Sequence, residues 1–276
     1  MASVLSRLAI LATAPIVACA SLALAPMAQA VGAGQGDSAP GQAVVHDGLS
    51  AATAAASCWD IKQRNPEATD GAYWLQTPAM DHPAQFFCDQ TTDGGGWVMV
   101  GRGREGWESW SGGKGDPAKL TSRSRTPGDF DVVQLSNKAI TELLNNEPVK
   151  DQADGVRVMR SWSASGRSYQ TVDLQFPKMT DFVWPFKMAH PINIQLDKGG
   201  WRSGVMWSQT GYDNEWNGLQ TYPSARTTGW LMGWGYGAQA SNWGGDVSSA
   251  NSYFRKSGLT VFPYAEVYVR PRISSD

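Results

Sequence analysis

Residues 86–97 read Phe86-Phe87-Cys88-Asp89-Gln90-Thr91-Thr92-Asp93-Gly94-Gly95-Gly96-Trp97. Alternation predicts a strand that puts Phe86 and Cys88 on one side and Phe87 and Asp89 on the other. Thr91-Thr92-Asp93-Gly94 has the composition of a turn. Gly95 and Gly96 let the backbone bulge or approach a neighbour closely before Trp97 enters the core. The stretch is therefore expected to be scaffold, and to touch no ligand.

The chain around it has 276 residues, 42% of them hydrophobic and 17% charged, with a net charge of -2. That length can bury a sizeable core in one large domain. The near-neutral balance, without a Lys/Arg run, argues against nucleic-acid binding. Thirteen tryptophans and thirty glycines suit a loop-rich fold with aromatic clusters better than a helical bundle.

Residues 1–30 read as a signal peptide. Arg7 precedes an apolar run, Leu8 to Ala25, and Ala28-Gln29-Ala30 has the small-x-small cleavage pattern. Ile16-Val17-Ala18-Cys19 also resembles a lipobox, so a lipid anchor through Cys19 is the alternative to free secretion. No later run approaches the ~18 apolar residues that span a bilayer. Residues 31–56 are rich in Gly, Ala, Ser and Gln and read as a flexible linker, with His46 solvated. The folded domain is expected over 57–272.

Within it, Ser57 is placed to cap a helix that Pro66 stops. Strands are expected over 72–76, 85–89, 97–101, 156–160 and 170–174. A helix over 136–145 puts Ile140, Leu143 and Leu144 on one face. Tyr264 to Arg270 alternates apolar and polar residues, so a half-buried strand is expected there. From Lys198 to Gly258 little is periodic.

With Cys19 removed or lipidated, Cys58 and Cys88 remain. Two cysteines in a secreted chain most simply pair. Closing a loop of about 30 residues contributes roughly 3–4 kcal/mol in the chain-entropy account. A metal site and a catalytic thiol are the rival readings. Zinc would need two further ligands, and His46, His82 and His190 show no ligand spacing.

Ser57-Cys58 with Ile61, then Gly71-x-Tyr73-Trp74, then Phe87-Cys88-Asp89, then Asp93-Gly94-Gly95-Gly96-Trp97 resembles the start of the fibrinogen C-terminal-like domain. Ficolins, tachylectins, angiopoietins and intelectins begin in this way. The resemblance is dense over Ser57 to Arg102, and in that family the two cysteines form the first disulfide. It implies an α+β fold: a small bridged N-terminal subdomain, a twisted antiparallel sheet with few helices, and a loop-rich C-terminal subdomain carrying any ligand site. The rest departs from the pattern. No cysteine follows Cys88, and the D-x-D-N-D-like calcium loop is missing. The chain looks like a bacterial secreted relative with a conventional front and a divergent back.

The back holds the candidate chemistry. Six tryptophans fall between Trp201 and Trp243, interleaved with Tyr212, Tyr222 and Tyr236. Aromatic faces stack on the C–H faces of sugars while amides and carboxylates read hydroxyls. Trp216, Tyr236, Asn242 and Trp243 are the candidate ligand residues. The competing account is that these aromatics build the interior, each burying roughly 150–250 Å². Asp213, Asn214, Glu215 and Asp246 are candidate oxygen ligands for calcium, the one cofactor expected; the competing account is a solvated acidic turn. No catalytic residue is assigned. Gly101-x-Gly103-x-x-Gly106 has dinucleotide-fingerprint spacing, but no helix pattern comes after it. The expected function is a secreted, non-catalytic binding module, lectin-like toward glycans or acetylated groups and calcium-assisted. The alternative is an adhesion or structural protein that binds a protein partner. Oligomeric state is left open.

Overall fold

The computed structural model describes residues 44–103, 115–123, 133–161, 169–184, 191–205, 207–208, 218–221, 233–235 and 265–275. Two α-helices occur among them. Helix α1, Cys58–Arg64, starts where the Ser57 hydroxyl accepts a hydrogen bond from Asp60 N at 2.9 Å. Lys62 and Arg64 lie in its last turn, where the helix dipole favours cations. Helix α2, Asn137–Leu143, is capped in the same way by Ser136, and it buries Ile140 and Leu143. The Ser57 cap stands where the sequence predicts it; Ser136, expected as the first residue of its helix, is instead the cap.

Among the described residues, nine strands form one sheet: β1 Gly71–Leu75, β2 Ala84–Asp89, β3 Trp97–Gly103, β4 Val133–Gln134, β5 Val156–Ser161, β6 Tyr169–Gln175, β7 Ile192–Leu196, β8 Arg202–Val205 and β12 Ala265–Val269. Their order is β1-β2-β3-β12-β5-β6-β7-β8, with β4 pairing β3, and every pairing is antiparallel. Three short strands, β9 Trp207–Ser208, β10 Gly218–Thr221 and β11 Gly233–Gly235, make a second sheet in the order β11-β10-β9. The α+β expectation of an antiparallel sheet with few helices is met.

The last strand does not lie half-buried as its alternation predicts. β12 sits mid-sheet, hydrogen-bonded to β3 on one side and β5 on the other. All five of its residues are buried, Glu266 and Tyr268 included. Its polar face is covered by other polar side chains, Arg123 among them. Alternation reports two unlike faces; it does not say that the polar face meets water.

Residues 44–56 are also not a free tether. Ala54, Ala55 and Ala56 are buried. Ser50 caps a 3₁₀ turn at Ala51–Thr53, and the backbone then pairs with the outer edge of β1. Trp74 N donates to Gly48 O at 2.8 Å, Ala55 N to Trp74 O at 3.0 Å and Gln76 N to Ala55 O at 2.9 Å. His46 is partly buried, its Nδ1 donating to Ala54 O at 2.8 Å. Three small alanines are buried here, so the lack of large apolar residues was misleading. The covered edge also leaves fewer open strand groups for aggregation.

The β7–β8 hairpin has no counterpart among the predicted strands. The Ile-Asn-Ile-Gln-Leu alternation of residues 192–196 carries the signal, with Ile192 and Ile194 buried and Asn193 and Gln195 half-buried.

Candidate functional site

The turn of the opening stretch is a structural hub. Asp89 Oδ1 accepts from Thr92 N at 2.8 Å and Thr91 N at 3.2 Å, bending the chain into a 3₁₀ turn at Thr92–Gly94. Asp93, Gly94, Gly95 and Gly96 all have positive φ. A Cβ on Gly95 would lie 2.3 Å from Gln90 O, and one on Gly96 would lie 2.8 Å from Trp59 Cα. Neither position accepts a side chain. The Gln90 side chain closes the loop, accepting from Gly96 N at 3.0 Å and donating to Cys58 O at 2.9 Å. Cys58 and Cys88 are disulfide-bonded, their Cα atoms 5.6 Å apart. The bridge, the amide and the glycines thus fasten α1 to the β2–β3 hairpin.

Two buried charge networks flank the hub. In the first, Arg123 links residues of β2 and β12. Its Nη2 donates to Asp89 Oδ2 at 2.6 Å and to Tyr268 Oη at 2.7 Å; its Nη1 donates to Asp70 Oδ2 at 3.1 Å. Glu266 Oε1 lies 3.4 Å from its Nε, and Tyr268 Oη donates to Glu266 Oε2 at 2.7 Å. The guanidinium also lies 4.9 Å from the Phe87 ring centroid. Burial raises the Asp89 carboxyl, but the Thr92 amide and the Arg123 charge outweigh it and hold the group below its usual range. Burial and Glu266 push the Tyr268 phenol well above its ordinary range.

In the second, Arg157 is almost wholly buried. Its Nε donates to Asp173 Oδ1 and its Nη2 to Asp93 Oδ2, both at 2.7 Å. Arg157 and Arg270 lie over the Trp97 ring, their guanidinium carbons 3.8 and 4.3 Å from its centroid. Arg270 donates to Asp93 O and Gly95 O, and it forms a two-point pair with Asp154, which Arg272 also grips. The glycine turn therefore reads as an anchorage for the end of the chain. None of these arginine roles was foreseen, because the partners are distant in sequence. Arg123 and Tyr268, for example, are 145 residues apart.

Hydrogen bonding to Lys198, and then to Arg157, lowers the Asp93 carboxyl to about 2. A depressed carboxyl stabilises the fold above its unfolded value, and that stability is lost as pH falls through the folded value. Melting temperature is thus expected to fall as pH drops from about 4 toward 2. Asp93→Asn should flatten that part of the profile, as calorimetry across the range would record. Asparagine tolerates the positive φ of this position, so the variant tests charge and not backbone strain.

The residues assigned to ligand and metal lie elsewhere. Asp213, Asn214, Glu215, Trp216, Tyr236, Asn242, Trp243 and Asp246 all fall outside the described residues. Of the chain around them, Gly218 at the start of β10 pairs with Gly235 at the end of β11. Among the described residues no cluster of His, Cys, Asp or Glu could hold a metal ion.

No family model matches the chain. Its sequence is similar to the fibrinogen beta chain of Gallus gallus, 28% identical over 102 residues, which is 34% of this chain and 21% of that one. It is also similar to angiopoietin-4 of Mus musculus, 35% identical over 69 residues, 22% of this chain and 13% of that protein. The chain thus spans about a fifth or less of the length of these curated relatives. Similar solved structures include the fibrinogen-like globe domain of human ANGPTL2, 15% identical with a TM-score of 0.39, covering 79% of this chain and 99% of that one. The corresponding domain of human ANGPTL6 is 15% identical with a TM-score of 0.36, covering 78% and 94%. The lamprey fibrin D-dimer, complexed with the peptide ligand Gly-His-Arg-Pro-amide, is 16% identical with a TM-score of 0.30, covering 50% and 41%.

Proposed function

We propose that the chain is a secreted, non-catalytic binding module of the fibrinogen-like kind. In this reading it recognises glycans or acetylated groups through residues 198–251, with calcium assisting. The observation that carries the reading is the sequence of residues 198–251, aromatic and rich in Asn and Gly, whose chemistry suits a sugar: a flat face to stack, and amides and carboxylates to read hydroxyls.

The scaffold supports a non-catalytic role. Asp89, Asp154, Asp173 and Glu266 face Arg123, Arg157, Arg270 and Arg272, so their charges are engaged in holding the sheet together. Similarity to the fibrinogen beta chain and angiopoietin-4 supports the binding-module reading. Secretion is supported by the signal-like N-terminus. No helix among the described residues is long and apolar enough to cross a membrane.

A protein partner is the second reading. It is favoured by Val44, Val45 and Leu49, large apolar side chains left exposed at the start of the described domain. A glycan array separates the two. The secreted chain should bind a defined set of sugars, and binding should weaken when a calcium chelator is added. No binding to any glycan would sink the lectin reading. Binding indifferent to the chelator would remove calcium from it.

A further inference from the structure

We propose that the outer end of the β6–β7–β8 ribbon is a contact surface for neutral sugars, with Trp201 as its stacking platform. The proposal rests on the glycan-binding reading above, and deepens it by naming a surface on the main sheet.

Trp201 stands apart from the other tryptophans whose burial is described. Trp97 and Trp184 are buried, and Trp59 and Trp74 are half-buried. Trp201 is 42% exposed and sits at the mouth of the β7–β8 turn. Gly199 and Gly200 precede it, and a Cβ on Gly200 would meet nothing within 4 Å, so the turn does not crowd the ring from that position. An indole left in water forgoes the stabilisation that burial gives an aromatic side chain. The core does not call for it here.

Its surroundings supply hydroxyl-reading groups. Asn193 and Gln195 alternate with buried Ile192 and Ile194, so they face away from the core. Gln175 is the register partner of Asn193 on β6, and Asn193 Nδ2 donates to Gln175 Oε1 at 3.2 Å, which puts both amides on one face. The β7–β8 register slips between Ile192 and Ile194, and Ile194 is the partner of Arg202; extended by one residue toward the turn, that pairing sets Gln195 opposite Trp201, the residue before β8. Alternation then sends Arg202 to the other face, with Ile194.

These amides are held rigidly. Gln175 Nε2 donates to Ala153 O at 3.0 Å, Gln195 Nε2 to Gly199 O at 2.5 Å, and Asn193 Oδ1 accepts from Gly204 N at 3.4 Å. Each keeps spare capacity, because an amide offers two donor hydrogens and two acceptor lone pairs. Fixed orientation reduces the entropy lost on binding. Exposed Ser203 adds a hydroxyl.

Charge selects the ligand class. The amide row is neutral; of the cations beside it, Lys198 is paired with Asp93 at 2.8 Å, and exposed Arg202 is directed by its register with Ile194 to the opposite face. A neutral polyhydroxylated ring with an apolar face fits this surface. A strongly anionic or cationic polymer does not.

The test uses the full secreted chain labelled with 5-fluorotryptophan, with the Trp201 resonance assigned from Trp201→Phe. The probe is the strongest hit from a broad glycan array. The expected result is a neutral glycan, a saturable shift of the Trp201 resonance, and about a tenfold loss of affinity in Trp201→Ala, the size expected for covering one aromatic face. Asn193→Ala should weaken binding by less. Glycan binding that leaves the Trp201 resonance unmoved and the Trp201→Ala affinity unchanged would overturn this inference alone, as would a strongest hit that is acidic. Silence across the whole array would overturn both this inference and the function it rests on.

Discussion

A Gly95→Ala chain is expected not to accumulate as folded, secreted protein. Gly95 has φ 74° and ψ -165°, a conformation essentially confined to glycine, which alone strains any other residue by about 1–3 kcal/mol. The new Cβ would also lie 2.3 Å from Gln90 O and 2.7 Å from its carbonyl carbon, both backbone atoms that cannot rotate away. Moving Gln90 breaks its bonds to Gly96 N and Cys58 O, and with them the fastening of α1. Domains are stable by only about 5–15 kcal/mol, so these losses together are large. Gly94→Ala is the control. Gly94 has a similar φ, 80°, but nothing lies within 4 Å of its Cβ position. It should fold, with a Tm lower by a few degrees. Secretion yield and calorimetry compare the two. Equal behaviour would show that close backbone approach is not what the turn requires.

Arg123→Met is expected to be the most damaging single charge deletion. It would leave Glu266 and Asp89 both buried in the interior without their cation. Breaking a buried ion pair by removing one partner costs about 3–5 kcal/mol. For a domain of this size that is a fall in Tm of roughly 10 °C or more. Adding Glu266→Gln removes the stranded charge and should recover part of the loss. The two substitutions are therefore expected to be less than additive in a double-mutant cycle. Strict additivity would mean that Arg123 and Glu266 are not coupled.

Both predictions concern features that the sequence revealed to different degrees. One helix cap and the short strands were readable because their causes are local: Ser57 caps the helix that begins at the next residue, alternation marks β2, and β-branched and aromatic residues mark β3. The glycine run was recognisable as a place where a side chain would not fit. The neighbours that make it so, Gln90 and Trp59, were not. The environment of β12 was misread because burial of its polar face depends on Arg123, more than a hundred residues earlier. The packing of residues 44–56 was hidden for a similar reason, since Ala55 is buried only because β1 has an edge to cover. The candidate ligand residues were named from composition alone, and they fall outside the described residues.

On this view a charge-locked front scaffold is separate from a ligand site at the back. The most direct test is the affinity, per folded molecule, of Asp93→Asn and Trp216→Ala for the same array-selected glycan. Asp93→Asn, which releases Lys198 but removes no amide or ring of the Trp201 surface, should bind a neutral glycan like the unmodified chain while losing part of its acid-dependent stability. Trp216→Ala should melt normally and bind at least several-fold more weakly. The reverse pattern, binding lost in folded Asp93→Asn and kept in Trp216→Ala, would contradict that separation.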